Sequence, residues 1–177
     1  LMLLMVSATF TSRILTHFED ALASLPILVA FVPQLMDTGG NAGGQASVSV
    51  IRALSLGDIQ MKDFMRVLWK EFRVALLCGL TLAGVNFVKM MIFNDVSRSV
   101  YGVSMSLIIS AVVCVTIALA VVIAKVIGSM LPILAKRIGF DPAVMASPLI
   151  TTIVDVVSLL VYFLISTTVL SHAGLAL

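Results

Sequence analysis

Long apolar stretches alternate with short clusters of charge along this chain, and that alternation predicts five membrane-crossing helices. A helix needs about 20 apolar residues to cross roughly 30 Å of hydrocarbon. Residues 1–16 are apolar apart from Arg13 and read as the remaining part of a first span, ahead of the polar loop His17-Phe18-Glu19-Asp20. A second span covers about residues 22–51; Asp37 is its only charge, and it is long enough to tilt or break. Residues 52–73 form a charged connector, followed by a third span at 74–93 with Lys89 near its end and a turn at Asn94 to Arg98. The fourth span, 101–131, contains Lys125. A basic loop from Pro132 to Pro142 leads to the fifth, 147–170, whose only charge is Asp155.

Composition removes the main alternatives. Of the 177 residues, 60% are apolar and 11% charged, where soluble domains average about 45–50% and 25%. A mean hydropathy of +1.17 cannot be buried inside one 18.8 kDa globule, because a body that small exposes too much surface. A soluble enzyme, a disordered tail and a coiled coil are excluded, and a net charge of +2 is too small to point to nucleic acid. The reading is an all-α, polytopic membrane protein. Cys78 and Cys114 both lie inside apolar runs and read as packing residues. The chain starts at Leu1 inside an apolar run, with no basic region or small-residue cleavage site behind it, so it reads as a piece of a longer protein.

Lys and Arg set the expected orientation. Arg52, Lys62, Arg66, Lys70, Arg73, Lys136 and Arg137 flank the loops after spans two and four, against Arg13, Lys89 and Arg98 on the other side. The two basic loops are therefore expected in the cytoplasm, with the N-terminal side cytoplasmic and the C-terminus outside. Within the connector, Asp58 can cap a helix in which Ile59, Phe64, Val67, Leu68 and Phe72 alternate with Lys62, Asp63, Arg66 and Lys70. This amphipathic helix is expected to lie along the inner surface, with Trp69 at headgroup level.

Two carboxylates in the hydrocarbon region, Asp155 and Asp37, call for an explanation. Each costs roughly 2.5–3.5 kcal/mol on insertion scales and needs an ion, a partner or water. Around Asp155, helical spacing aligns Thr151, Ser147 and Ser158 into one polar stripe, which suits a water-filled cation path. The bland alternative is a buried ion pair with Lys125, unless Lys125 reaches the inner headgroups instead. Asp37 opens the run Asp37-Thr38-Gly39-Gly40-Asn41-Ala42-Gly43-Gly44-Gln45, one turn after Pro33. Such a run weakens a helix, and irregular backbone survives in lipid only where protein or water satisfies it. Gly39/Gly43 and Gly40/Gly44 also form overlapping GxxxG pairs suited to close helix packing. Packing does not explain Asp37, Asn41 and Gln45, spaced by four on one face, so that face is a candidate pore lining; Gly40 joins Asp37 and Asn41 as a candidate ion-contacting position.

Asp37-Thr38-Gly39 also spells the triplet of aspartic proteases, which works in a soluble two-lobed β fold. An intramembrane version needs two acids sharing a proton, and its usual Tyr-Asp and Gly-x-Gly-Asp surroundings are absent here. A cation-coupled carrier is the other rival, but carriers pair broken helices across inverted repeats; span two has no clear counterpart in span five.

The stretch PILVAFVPQLMDTGGNAGGQASVSVIRAL (Pro26 to Leu54), the basic connector, and DPAVMASPLITTIVDVVSLLVYF (Asp141 to Phe163) resemble the membrane domain of the MgtE magnesium channels along the whole chain. The resemblance implies a homodimer of five transmembrane helices per subunit, with spans two and five lining a central pore. It makes Asp155 the acid that binds Mg²⁺, directs the backbone carbonyl of Thr151 at the ion's water shell, and puts Ser147 nearer the cytoplasm. Gly44 stands where some relatives carry Asn, and Asp37 where some carry Gly. Family members carry cytoplasmic regulatory domains ahead of this region, and these are expected to be absent here. Mg²⁺ demands octahedral oxygen ligation and dehydrates reluctantly, so the expected mode is recognition of the hydrated ion, with one carboxylate per subunit doubled by the twofold axis. Oxygen ligands suit Mn²⁺ and Co²⁺ as well.

Overall fold

The computed structural model describes residues 2–18, 26–93, 95–145 and 148–172, and every regular element among them is helical. In chain order these are α1 (Met2–His17), α2 (Ile27–Leu56), α3 (Phe64–Phe93), α4 (Asp95–Arg137) and α5 (Pro148–His172), with 3₁₀ turns at Met61–Asp63 and Pro142–Met145. Among the described residues three stretches, Met61–Phe93, Gly102–Arg137 and Leu149–Val169, are long and apolar enough to cross a membrane by length and composition. α2 spans about 45 Å at 1.5 Å per residue, but its glycine and amide run dilutes its hydropathy.

Three apolar clusters stack along the bundle and fix its topology. At one end Leu28, Val32 and Leu35 of α2 meet Met90 of α3, Ile109, Val113 and Ile117 of α4, and Leu159, Tyr162 and Phe163 of α5. The middle layer joins Ala42, Val121, Ala124, Ile150 and Val154. The far layer joins Val50, Leu54, Val67 and Ile133. Residue numbers rise through these layers in α2 and α4 and fall in α3 and α5, so neighbours in sequence run antiparallel. Ile14 and Leu15 of α1 pack on the first cluster. The α2–α3 and α4–α5 connections therefore share one end, which gathers both basic loops; Lys136 Nζ there donates to the Leu54 carbonyl at 3.4 Å.

α4 is the hub, packed against α2, α3 and α5, whereas α3 is peripheral. One stripe of α3 (Val67, Glu71, Ala75, Gly79, Asn86, Met90) is buried, while Leu77, Leu80, Val85, Val88 and Ile92 are exposed, as a lipid-facing helix requires. The buried Tyr162 hydroxyl donates to the Leu28 carbonyl at 2.9 Å, and Phe18 stacks on Phe163 at 4.9 Å, tying the end of α1 to α5.

Several expectations change. The glycine run of span two does not break: residues 27–56 form one helix with Pro33 inside it. Gly39, Gly40 and Gly43 are buried, so interhelical contact offsets their poor helix propensity. The connector is not a separate helix, since residues 64–93 are continuous; no Gly or Pro interrupts residues 58–78, and charge alone does not end a helix. Its start is set by a capping box between Gln60 and Asp63 rather than by Asp58. Gly57, at φ 78°, closes α2 in the left-handed conformation that glycine adopts freely. The helix of span four begins at Asp95, bends at Gly102 (φ 78°, ψ 168°), and continues through Pro132 to Arg137.

Candidate functional site

α2 and α5 cross at the middle layer, and small residues decide how closely. A Cβ at Gly39 would lie 2.9 Å from Ser158 Oγ and 3.0 Å from Val154 Cγ1, and one at Gly43 would lie 3.2 Å from Ile150 and Val154 side chains. α5 is thus seated on α2 by glycine, and the next position round the helix, Gly40, opens toward Thr151 and Asp155. An added Cβ at Gly40 would have ordinary contacts of 3.5 Å with Thr151 Cγ2 and 3.7 Å with Asp155 Oδ1.

The consequence is one open pocket of about 180 Å³ lined by Met36, Asp37, Gly40, Asn41, Thr151 and Asp155. Of the positions singled out in the sequence, Asp37, Gly40, Asn41, Thr151 and Asp155 are brought together here. Ser147 lies outside the described residues. Asp37, Asn41 and Gln45 are exposed along α2, and Thr151 and Asp155 are half-buried on α5. Asn41 Nδ2 donates to Asp37 Oδ1 at 3.0 Å, which orients the carboxylate along the helix and leaves its other oxygen available as an acceptor. The polar stripe on α5 is shorter than helical spacing suggested, because Ser158 is buried against Gly39 rather than facing the pocket.

The ion pair weighed for Asp155 is made by another acid. Lys125 Nζ lies 3.9 Å from Glu71 Oε2, both side chains about nine-tenths buried. Glu71 lies within the charged connector 52–73 and was not singled out from the sequence. The missed signal is its register: Val67, Glu71, Ala75 and Gly79 fall on one helical stripe, and that stripe faces α4. A second polar contact was also missed. Gln34 Nε2 donates to Asn86 Oδ1 at 2.7 Å, Lys89 Nζ donates to Gln34 Oε1 at 3.3 Å, and Asn86 Nδ2 reaches Met90 Sδ and Cys114 Sγ at 3.5 Å. An amide inside an apolar run was its only trace. The network joins α2, α3 and α4 just above the turn that carries Asp37.

Chemically the pocket offers a carboxylate from each of two helices, an amide and a threonine. Among the described residues no three His, Cys, Asp or Glu side chains converge as metal ligands. A set of this kind accepts hydrogen bonds from the waters of a hydrated cation more readily than it replaces them.

The chain is similar to known proteins over most of its length. The MgtE family model, described as divalent cation transporter, matches residues 32–165. The chain is 40% identical over 162 residues to the magnesium transporter MgtE of Thermus thermophilus, covering 92% of this chain and 34% of that protein. It is 30% identical to the magnesium transporter MgtE of Bacillus subtilis, covering 94% of this chain and 35% of the relative. The corresponding Enterococcus faecalis protein is 31% identical over 86% of this chain and 32% of its own length. The chain thus spans about a third of the length of these relatives, which are named as transporters and not as enzymes.

Proposed function

Since the chain belongs to the MgtE family of divalent cation transporters, we propose that it forms the conducting part of a magnesium channel. Its path runs along the face where α2 and α5 meet. Mg²⁺ crosses with water still attached, held by outer-sphere hydrogen bonds to the Asp155 carboxylate, to Thr151 and to the Asp37–Asn41 pair. The chain works as a homodimer: the open side of each pocket faces its symmetry mate, and two Asp155 carboxylates match the ion's double charge. α2 to α5 cross the bilayer and α1 is the remaining part of a first span, the basic end lying in the cytoplasm and the C-terminus outside.

The observation that carries this reading is a pocket that joins acids from α2 and α5. An acid there is costly unless water or a cation meets it. The pairing of Lys125 with Glu71 leaves the Asp155 carboxylate to the pocket. Outer-shell contacts bind strongly enough to select and weakly enough to release, whereas stripping the octahedral shell of Mg²⁺ would be slow.

Vesicles holding the protein and a Mg²⁺-sensitive dye test the proposal. Asp155→Asn removes the charge with little change in shape and is expected to leave assembly intact while abolishing uptake. Uptake near the unsubstituted rate would refute the assignment.

A further inference from the structure

A second built pocket lies away from the ion path, where α3 begins. It has a volume of about 450 Å³ between the last turns of α2, the 57–60 loop and α3, and its α3 wall presents Arg66, Trp69, Lys70 and Arg73. Directly beside it is an apolar groove of about 400 Å³ lined by Met65, Leu68, Trp69, Phe72 and Val126. Helical spacing explains the adjacency. Residues 66, 70 and 73 form one stripe, residues 65, 68 and 72 the next, and Trp69 sits on the seam. Stacking on Phe72 at 5.8 Å and the Arg73 guanidinium 6.0 Å over the ring hold that indole in place.

Charge in the polar pocket is unevenly committed. Of its three acids, Glu71 is taken by Lys125, Asp63 Oδ2 is oriented by the Gln60 N–H at 2.9 Å, and Asp58 is exposed on the 57–60 loop. Arg66, Lys70 and Arg73 on the α3 wall outnumber the two carboxylates without a cation partner. Among the described residues, Arg66 and Lys70 have no carboxylate partner, and both are exposed. Uncommitted cations, an indole at the seam and an apolar trough alongside match one ligand chemistry: an anionic head joined to a hydrocarbon tail. We infer that this site binds an anionic phospholipid, its phosphate against Arg66, Lys70 and Arg73 and one acyl chain along Leu68, Phe72 and Val126. A free phosphate would leave the groove empty, and a neutral lipid would leave the cations unmatched. Basic pockets at the cytoplasmic boundary recognise such headgroups, and Trp prefers headgroup depth. The inference rests on the membrane orientation proposed above and is independent of which residues conduct.

Trp69 is the only tryptophan of the chain, so its fluorescence reports this site alone. The protein is reconstituted in phosphatidylcholine vesicles containing brominated phosphatidylglycerol or brominated phosphatidylcholine, and quenching gives the relative affinity of the two lipids. Phosphatidylglycerol is expected to be preferred about fivefold or more, the scale of one cation acting near an anionic surface. In Arg66→Gln/Lys70→Gln the preference falls to parity, Lys70→Arg retains it, and millimolar inorganic phosphate leaves it unchanged. Asp155→Asn also retains it, which separates failure of this site from failure of the transport reading. Parity in the unsubstituted protein, a preference surviving the double substitution, or one abolished by free phosphate would overturn the assignment. Absence of quenching by either lipid would mean that protein, either a second copy or another segment, covers the groove, and would overturn it equally.

Discussion

One methyl group added at Gly128 probes how closely α4 seats against α2. Gly128 of α4 faces Gly43 of α2 backbone to backbone: a Cβ there would fall on the Gly43 carbonyl, with Gly43 Cα 2.9 Å away. Carbon contacts settle at about 3.5–4.0 Å, and no side-chain rotation relieves a clash with backbone. The two helices must therefore part by roughly 1 Å, a gap that forfeits a quarter to a half of each neighbouring contact. Overpacking of this kind costs about 1–3 kcal/mol, offset by up to about 1 kcal/mol from the better helix propensity of alanine. With backbone as the obstacle, Gly128→Ala is expected to destabilise by about 2 kcal/mol. Gly84→Ala is the control: nothing lies within 4 Å of its added Cβ, and it should be neutral or up to about 1 kcal/mol stabilising. Reversible unfolding in mixed micelles, followed by Trp69 emission, measures both. Gly128→Ala within about 0.5 kcal/mol of Gly84→Ala, the spread of unremarkable substitutions, would refute the close-crossing argument.

Two further outcomes follow from the same contacts. Glu71→Gln or Lys125→Met alone leaves one buried charge uncompensated and should destabilise by about 3 kcal/mol, while the double substitution recovers most of the loss; simple additivity in the unfolding cycle would show that the pair is not coupled. Asp37→Gly removes an exposed carboxylate whose described partner is Asn41. It should assemble normally by size-exclusion chromatography yet change uptake affinity or block by larger divalent ions, and a variant that failed to assemble would hand Asp37 to the packing reading.

The helical class and the pocket residues were legible because they obey short-range rules. Period-four spacing set Asp37 with Asn41 and Thr151 with Asp155, and the cost expected of an acid inside an apolar stretch marked both helices. What the pattern could not supply was the partner across each helix interface. Glycines that weaken an isolated helix became seats for neighbouring side chains and backbone, so span two stayed whole. Glu71 sits in the charged connector, and only the direction of its stripe places it against Lys125. Ser158 shares a face with Asp155 on a helical wheel, yet Gly39 approaches closely enough to bury it. Each miss concerns an interhelical distance, which no intrahelical period encodes.

Conduction by the proposed route requires Asp155 to face a hydrated divalent ion across the α2–α5 pocket. Anomalous diffraction from the protein soaked in Mn²⁺, a stand-in with similar oxygen preference, reads that position directly. A peak is expected about 4–5 Å from the Asp155 carboxylate, one water layer away, on the side of Asp37 and Asn41, and it should disappear in Asp155→Asn. A carboxylate bound instead to an ammonium group or turned toward lipid, with no divalent peak beside it, would contradict the account.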